Sequence, residues 1–585
     1  MSYDLRDFLR DIEESGELHR VRTRVSPELE IAEIYDRVVK RSGPALLFED
    51  VEGSTIPVLI NAFGTWDRTV MALGRDPERV GRDLMALVKT RPPRRLRDIW
   101  ALARKARDVL SFPPKLVRRG ECQDVVKTGA DVDLAELPVL KCWPLDAGRF
   151  ITLPQVFTLD PETGERNIGM YRMQVLDAKT TGMHWQTHKH GAEHYRKAKK
   201  LGVELPVAVA LGGDPAITFG ATAPLPPGLD EVMFAGYIRR KRQRLIRCKT
   251  QPLEVPADAE IVLEGYVDPS EPMVTEGPFG DHTGYYSLAG LYPKFHVTAI
   301  TRRRDAIYPT TVVGIPPQED GPMGKATERM FLPLIQFQVP EVVDWNMPVE
   351  GAFHNLMLLS IKKRYPGHAR KAMMSLWGAG MLSLEKVLVV FDEEVNVHDT
   401  DTVWRALAGL DAARDVLLID QLPTDTLDHA APVEDLGSHV GIDATRPLGG
   451  EALRAQNTPG LLPSKLDGVV AWHAPQPRLL LVSIRKTTSG DARRTMESLW
   501  KQGVPESTVI VVFDAQVDVK NASEALFQAT ANLDPKRDIL IAPPRIGVDA
   551  TVKLVEEGAR AWPPIIMMDD GTKRLVDKRW SEYGL

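Results

Sequence analysis

The 585-residue chain is predicted to be a multidomain α/β protein: an N-terminal α/β domain, a β-rich middle of barrel or sandwich type, and a duplicated C-terminal α/β unit. Three observations predict this. Residues 1 to about 110 mix helical spacing of apolar side chains (Leu5, Phe8, Leu9, Ile12) with short β-like runs such as 57–60. From about 120 to 310, short apolar runs at 155–159, 207–211, 260–264 and 295–300 are punctuated by Gly and Pro rather than by regular helices. The last third repeats itself.

Taken in order, proline pairs at 92–93 and 113–114 flank a basic helix and read as a linker into the middle domain. In the last third, 360–363 and 367–377 recur as 483–486 and 490–500, each ending Ser-Leu-Trp. Each copy continues into an apolar strand, 387–392 and 509–514. The pattern Leu410-Asp411 to Arg414-Asp415 is echoed at Leu533-Asp534 to Arg537-Asp538, and 441–445 is echoed at 547–551. Alternating strand and helix in two distant copies denotes a duplicated α/β layer rather than a solenoid. The expected domains are 1–110, 111–325, 326–452 and 453–585, in keeping with roughly 150 residues per domain.

With 43% hydrophobic and 26% charged residues, the composition is that of an ordinary globular protein. A formal net charge of −6 argues against a general nucleic-acid binder. The basic run Arg239, Arg240, Lys241, Arg242, with Arg244 and Arg247, reads as a solvated helix face or a phosphate contact. Cys122, Cys142 and Cys248 are widely separated, which fits a reducing compartment and argues against disulfides or a structural zinc. The acidic, amphipathic N-terminus resembles no signal or transit peptide, and no run approaches 18 apolar residues. A cytoplasmic protein with at most peripheral membrane association is expected.

Candidate chemistry clusters in the β-rich middle. Glu276 and Asp281 flank the turn Gly277-Pro278-Phe279-Gly280; they read either as solvated turn carboxylates or as a converging pair for proton transfer. Arg172 ends the run 167–172, where its planar fork suits a carboxylate or phosphate, or a strand-tying salt bridge. His184, His188 and His190 lie within seven residues without an HExxH pattern or accompanying cysteines. Hard cations take mainly oxygen ligands, so one of these histidines is expected to be a ligand and the others to pack or bind phosphate. Glu231 opens an amphipathic helix behind Asp230 as N-cap, a placement that the helix dipole alone would explain. No GxGxxG, Walker A or GxSxG stands in a convincing context.

Together and in order, NIGMYR (167–172), HWQTHKHGA (184–192), the helix at Glu231, the stretch 259–287 ending EGPFGDHTGYYS, and SIKKRYPGHARKAMMSLW (360–377) resemble the UbiD family of decarboxylases. That family is represented by 4-hydroxy-3-polyprenylbenzoate decarboxylase of ubiquinone biosynthesis. The resemblance runs from the first helix to about residue 450, and the second repeat copy extends beyond the shortest members. It implies a central split β-barrel that binds prenylated FMN with a divalent metal, usually Mn²⁺, and K⁺. Asn167, His188 and Glu231 match the metal ligands holding the flavin phosphate. Met170, Tyr171, Arg172, His184, Trp185, Gln186, His188, Lys189 and His190 fall where the family contacts the cofactor. His190 stands where many ubiquinone-pathway members have glycine, and Lys386 matches a phosphate contact from the C-terminal domain. Arg172, Glu276 and Asp281 match the catalytic trio, with the proton on an Asp281 carboxyl kept protonated near neutral pH and Glu276 bridging to Arg172.

The implied reaction is reversible non-oxidative decarboxylation of an aromatic or α,β-unsaturated acid through a covalent prenyl-FMN adduct, releasing CO2. The first-choice substrate is 4-hydroxy-3-polyprenylbenzoate in quinone biosynthesis; the alternative is a naphthoate of menaquinone biosynthesis or another aromatic acid. A flavin prenyltransferase would supply the cofactor, and a homo-oligomer, dimer or hexamer, is expected. The competing class, a non-catalytic flavin-binding scaffold, would be favoured by loss of any trio member, and all three are present.

Overall fold

The computed structural model describes residues 3–89, 112–225, 228–453, 462–558 and 560–585; the basic helix expected between the proline pairs falls outside them. The chain forms two compact units, Met1–Met330 with Ile565–Leu585, and Phe331–Pro564.

In the first unit, helix Leu5–Glu14 buries the predicted face of Leu5, Phe8, Leu9 and Ile12. Asp4 accepts hydrogen bonds from the amides of Arg6 and Asp7, and the Asp7 carboxylate accepts from Asp4 in return, so the first turn is capped on both sides. A four-stranded sheet follows, in the order Leu18–Val21, Ala45–Phe48, Val58–Ile60 and Tyr308–Pro309.

The β-rich middle is a nine-stranded sheet whose pairings are all antiparallel. Its order is Phe150–Ile151, Met173–Val175, Thr180–Met183, Lys294–Arg302, Ile261–Val267, Leu205–Leu211, Gln155–Leu159 and Arg166–Gly169, with Val125–Thr128 beside Lys294–Arg302. The two end strands do not pair with each other, so the barrel stays split. Leu205–Leu211 is almost wholly buried, with helix His190–Leu201 packed against it. Such a strand loses hydrophobic alternation because neither face meets water.

The residues after Pro564 fold with this unit rather than with the repeat they follow. Helix Asp570–Arg579 packs on helix Glu30–Val39, burying Val576. The Tyr583 hydroxyl donates to Glu30 at 2.7 Å and Arg37 pairs with Asp577 at 2.6 Å.

The duplication read from the sequence is present as two five-stranded sheets of one topology. The first runs Val342–Asn346, Met357–Ile361, Val387–Asp392, Leu436–Asp443, Val416–Pro423. The second runs Ala471–Gln476, Leu479–Ile484, Val509–Asp514, Arg545–Asp549, Ile539–Ala542. In both, the inner pairs are parallel and the outer pairs antiparallel. Each copy buries a lysine in the same way. Lys363 Nζ reaches Thr445 Oγ1 (2.9 Å), the Arg446 carbonyl (2.9 Å) and Glu451 Oε2 (2.5 Å). Lys486 Nζ reaches Thr551 Oγ1 (3.0 Å), the Val552 carbonyl (2.8 Å) and Glu557 Oε2 (2.5 Å).

Candidate active site

The site lies in the first unit, where strand ends of the split barrel meet the turn after Glu276. Met183 pairs with Met173 across the antiparallel ladder, and the His184 amide donates to the Arg172 carbonyl at 3.2 Å. That register makes Arg172 and His184 neighbours. Strand Val274–Glu276 pairs with Gly290–Tyr292 and lays Glu276 over Gly182, where a Cβ would come within 3.3 Å of Glu276 Cγ. Gly277 has φ +83°, and a Cβ on Gly280 would stand 2.3 Å from Trp143 Cδ1, so both positions of the turn require glycine.

The Arg172 guanidinium organises the centre. It holds Glu276 bidentately, Nε to Oε1 at 2.8 Å and Nη2 to Oε2 at 2.9 Å. Nη1 donates to Asp281 Oδ2 and Nη2 to Ser287 Oγ at 3.0 Å, while the Phe279 ring lies 4.8 Å beneath the guanidinium. Glu276 is fully buried, and its Oε2 also accepts from His184 Nδ1 at 3.0 Å. The His184 ring stacks on Tyr292 with centroids 4.2 Å apart. The expected trio is therefore one hydrogen-bonded cluster.

Its charge state differs from the expectation. Burial alone would raise both carboxylates, and the sequence reading placed a proton on Asp281 near neutral pH. Against the upward push of burial, Arg172 and then His184 hold Glu276 down at about 2. Against the same push, Arg172 and then His282 hold Asp281 well below the usual carboxylate range. Attraction to a cation in a low-dielectric site outweighs desolvation here. Burial followed by the Arg172 charge lowers the His184 pKa, which leaves a neutral ring. The cluster thus carries one positive and two negative charges.

A second group gathers on strand Arg166–Gly169 and helix Glu231–Arg239. Asp230 caps that helix as expected, and Glu231 Oε2 accepts the Ile168 amide at 3.1 Å, next to Asn167. Burial pushes the Glu231 carboxyl up to about 7. Asn167 Nδ2, His184 Nε2 and Trp185 Nε1 are buried without a hydrogen bond of normal geometry among the described residues. A Cβ on Gly169 would stand 2.2 Å from the Tyr171 ring, and one on Gly191 would stand 2.7 Å from Trp185 Nε1, so both rings close over glycine.

His188 sits in an exposed turn with no hydrogen bond or ion pair to Asn167 or Glu231, so the structure brings together two of the three expected metal ligands. Among the described residues no three His, Cys, Asp or Glu side chains gather as a metal-ligand set; the expected set holds only two such residues beside its asparagine. Met170, Gln186, Lys189 and His190 are partly buried, Lys189 as N-cap and His190 as first residue of helix His190–Leu201. Lys386 is buried in the second unit, its Nζ 3.1 Å from Asp428. In the basic run, Arg239 is paired with Asp214 at 2.7 Å and Arg240 with Asp83 at 2.9 Å.

Four participants escaped the sequence reading. Ser287 and Phe279 lie inside the motif but were not singled out. Asp146 accepts the Gly280 amide at 2.8 Å and the amides of Cys142 and Trp143 at 3.1 and 2.9 Å, gripping the turn beside Asp281. Asp320 opens helix Asp320–Gln338 within electrostatic range of His282 and Asp281, and burial raises it to about 6. An Asp shortly after Trp-Pro is a loop-capping signal that could have pointed to Asp146.

The first unit is thus a split antiparallel barrel with a buried arginine shared by two carboxylates at its strand ends. The chain belongs to the UbiD family of carboxy-lyases. Its residues 9–88, 115–316, and 322–444 with 450–559 match the N-terminal, Rift-related and C-terminal domains of 3-octaprenyl-4-hydroxybenzoate carboxy-lyase. An uncharacterized protein of Archaeoglobus fulgidus is 54% identical over 450 residues, covering 76% of this chain and 92% of its own. The fold is similar to that of the UbiD-class enzyme HmfF from Pelotomaculum thermopropionicum, solved with FMN (30% identity, TM-score 0.65, covering 78% of this chain and 98% of that one). It is also similar to vanillic acid decarboxylase of Sedimentibacter hydroxybenzoicus in closed form (28% identity, TM-score 0.68, 80% and 97% covered). Among the described residues no helix is long and apolar enough to cross a membrane.

Proposed function

We propose that this chain decarboxylates an aromatic or α,β-unsaturated carboxylic acid, with prenylated FMN as cofactor and Arg172, Glu276 and Asp281 as catalytic residues. The observation that carries this reading is the buried Arg172 fork closed on Glu276 and Asp281. Arg166 also meets two carboxylates, Asp230 and Glu254, but at a half-open surface; the Arg172 cluster is distinguished by being buried on all three members.

The donor set fits the cofactor. Glu231, raised by burial and in no ion pair among the described residues, lies beside Asn167 and offers hard oxygen ligands suited to a divalent cation such as Mn²⁺ that would bind the flavin phosphate. His184 Nε2 and Trp185 Nε1, without partners among the described residues, are polar atoms that a bound heterocycle can satisfy. Asn167, Glu231 and His188 would hold the metal, and Met170, Tyr171, His184, Trp185, Gln186, Lys189 and His190 the flavin. K⁺ completes the reading. When bound, the prenylated flavin supplies the electron sink that an sp² carbon lacks as its carboxylate departs.

The chain's own residues bind, orient and protonate. An incoming carboxylate competes for Arg172, where each charge-assisted bond contributes roughly 1.5–3 kcal/mol. It also adds a third negative charge, which raises the proton affinity of Asp281 and Glu276. His282 Nδ1 lies 3.0 Å from Asp281 Oδ1 and its ring is partly exposed, so it can pass a proton from solvent to Asp281. The carbon–carboxylate bond breaks, CO2 leaves without the bonding pair, and the Asp281 proton is placed on the carbon that keeps it. Glu276, bound to both Arg172 and His184, holds the arginine in register.

Within this class, 4-hydroxy-3-polyprenylbenzoate is our first substrate. The test is an anaerobic assay of protein co-produced with a flavin prenyltransferase, against polyprenyl-hydroxybenzoates, naphthoates and simpler aromatic acids in deuterated water. Deuterium in the product at the former carboxyl position is expected. Cofactor-loaded protein that converts no acid and exchanges no product proton would sink the proposal in favour of a flavin-binding scaffold.

A further inference from the structure

The turn that carries Asp281 is held by a segment to which nothing above gives a role. Within the turn, the Asp281 amide donates to the Tyr285 carbonyl at 3.2 Å and the Gly284 amide to the Asp281 carbonyl at 3.0 Å. Its outer edge is taken by the C-terminal segment of the chain. Tyr285 forms an antiparallel bridge with Ile565, and the Ile566 amide donates to the Gly284 carbonyl at 2.9 Å. A Cβ placed on Gly280 would come within 3.2 Å of Ile566 Cδ1, so this side chain packs directly beside the residue preceding Asp281. Ile566 and Met568 are buried in the same core as Trp143, Phe279 and Tyr286.

The segment is firmly moored beyond this point. Val576 is fully buried, Arg579 and the Tyr583 hydroxyl both hold Glu30, and the His19 ring meets the Tyr583 carbonyl at 2.7 Å. The family match ends at residue 559, before this segment begins.

We propose that Ile565–Ile566 is a positioning element of the active site, the outer rung that fixes the turn presenting Asp281 to Arg172. Asp281 is hydrogen-bonded to Tyr285, which bridges Ile565, so the path from tail to carboxylate is two backbone steps. A strand edge left open would be free to hydrate and drift, while a paired one is fixed. The proposal rests on Asp281 as proton donor, and its test separates the two readings.

In the full-length chain, Ile566→Pro removes the amide donated to Gly284, and Ile566→Ala keeps that amide while removing the packing on Gly280. Hydrogen exchange of the 281–285 amides is followed first, since it needs neither substrate nor cofactor. In Ile566→Pro this exchange is expected to quicken about tenfold relative to the rest of the split barrel, the equivalent of one backbone hydrogen bond. In the cofactor-loaded enzyme kcat is expected to fall by a similar factor, with KM and flavin absorbance unchanged. Ile566→Ala should shift both in the same direction by less. Wild-type exchange of 281–285 in Ile566→Pro, or a loss of protection spread evenly over the first unit, overturns the proposal. If Ile566→Pro does not fold, unchanged 281–285 exchange in Ile566→Ala overturns it. A wild-type chain inactive on every acid would defeat the assignment of Asp281 but leave the exchange result to decide the role of the tail.

Discussion

The Arg172 site and the twin lysine sites of the repeat bury a cation against a carboxylate, and they do so with opposite balances. Lys363 and Lys486 each place three ammonium donors on a hydroxyl, a carbonyl and one carboxylate. The other carboxylate oxygen accepts the Gly367 or Gly490 amide, so charge and hydrogen bonds close on both sides. At Arg172 one cation faces two carboxylates, and His184 Nε2 beside them has no hydrogen-bond partner among the described residues. A lysine closed on hydroxyl, carbonyl and carboxylate twice at one place in a duplicated fold is architecture, with Arg414 as an added cation on Glu451 in the first copy. The Arg172 cluster instead carries surplus negative charge, the balance that the proposed function uses.

That contrast breaks most sharply at Glu276. Glu276→Gln keeps the shape and the Arg172 contact but removes one charge and the anionic acceptor of His184. Turnover is expected to fall by about 10³ or more, within the range of lost acid–base groups, with flavin absorbance close to wild type and up to about 3 kcal/mol of folding stability lost at neutral pH. Lys486→Met and Lys363→Met should cost stability alone, with turnover per folded molecule unchanged. Lys486→Met strands Glu557, at about 3–5 kcal/mol of folding stability, whereas Glu451 keeps Arg414 at 3.5 Å and Lys363→Met should cost less. Urea unfolding and single-turnover assays of the three variants check both arms. A lysine variant that loses turnover without losing stability would erase the distinction.

The acid limb of stability sharpens it further. Glu276 and Asp281 both have pKa values below their unfolded ones, so the stability they contribute is complete above about pH 4–5 and is lost as pH falls toward 2. From the Glu276 value alone the effect reaches about 3 kcal/mol at 1.36 kcal/mol per unit. Denaturant unfolding at pH 5 and pH 3 should show a smaller acid loss in Glu276→Gln than in wild type. An equal loss in both would place the acid-sensitive charges elsewhere.

Much of this was legible in residue order, for physical reasons that differ by region. The first helix showed its buried face because 3.6-residue spacing is local, and the repeat showed itself because matching text needs no coordinates. The split barrel was readable only as strands and turns until the motif resemblance supplied the architecture. The Glu276–Asp281 turn was visible as chemistry, but its charge state was not. Arg172 lies 104 and 109 residues upstream of the two carboxylates, and burial, which local text implies, pushes their pKa values the opposite way. His188 sits in motif text yet on an exposed turn, since spacing in the sequence does not say which imidazole faces inward. The partner of the last segment was equally hidden: an amphipathic helix announces an apolar face, not the surface it will meet.

The smallest expected effect compares the two repeat copies with each other. Trp377 and Trp500 are equivalent in sequence and both buried, but Trp377 Nε1 donates to the Glu385 carbonyl at 2.8 Å. Trp500 Nε1 has no partner among the described residues, and Arg545 lies over its ring at 5.4 Å. Replacing either by Phe removes similar volume. Trp377→Phe also removes a buried hydrogen bond to the Glu385 carbonyl, whereas Trp500→Phe removes an N–H that has no partner among the described residues while weakening a cation–π contact worth roughly 0.5–1 kcal/mol. Trp377→Phe should therefore cost about 1 kcal/mol more than Trp500→Phe in urea unfolding. Equal losses would mean that the two copies, alike in topology and in their lysine sites, are alike at their tryptophans too, and that divergence has reached only the polar atoms lacking energetic consequence.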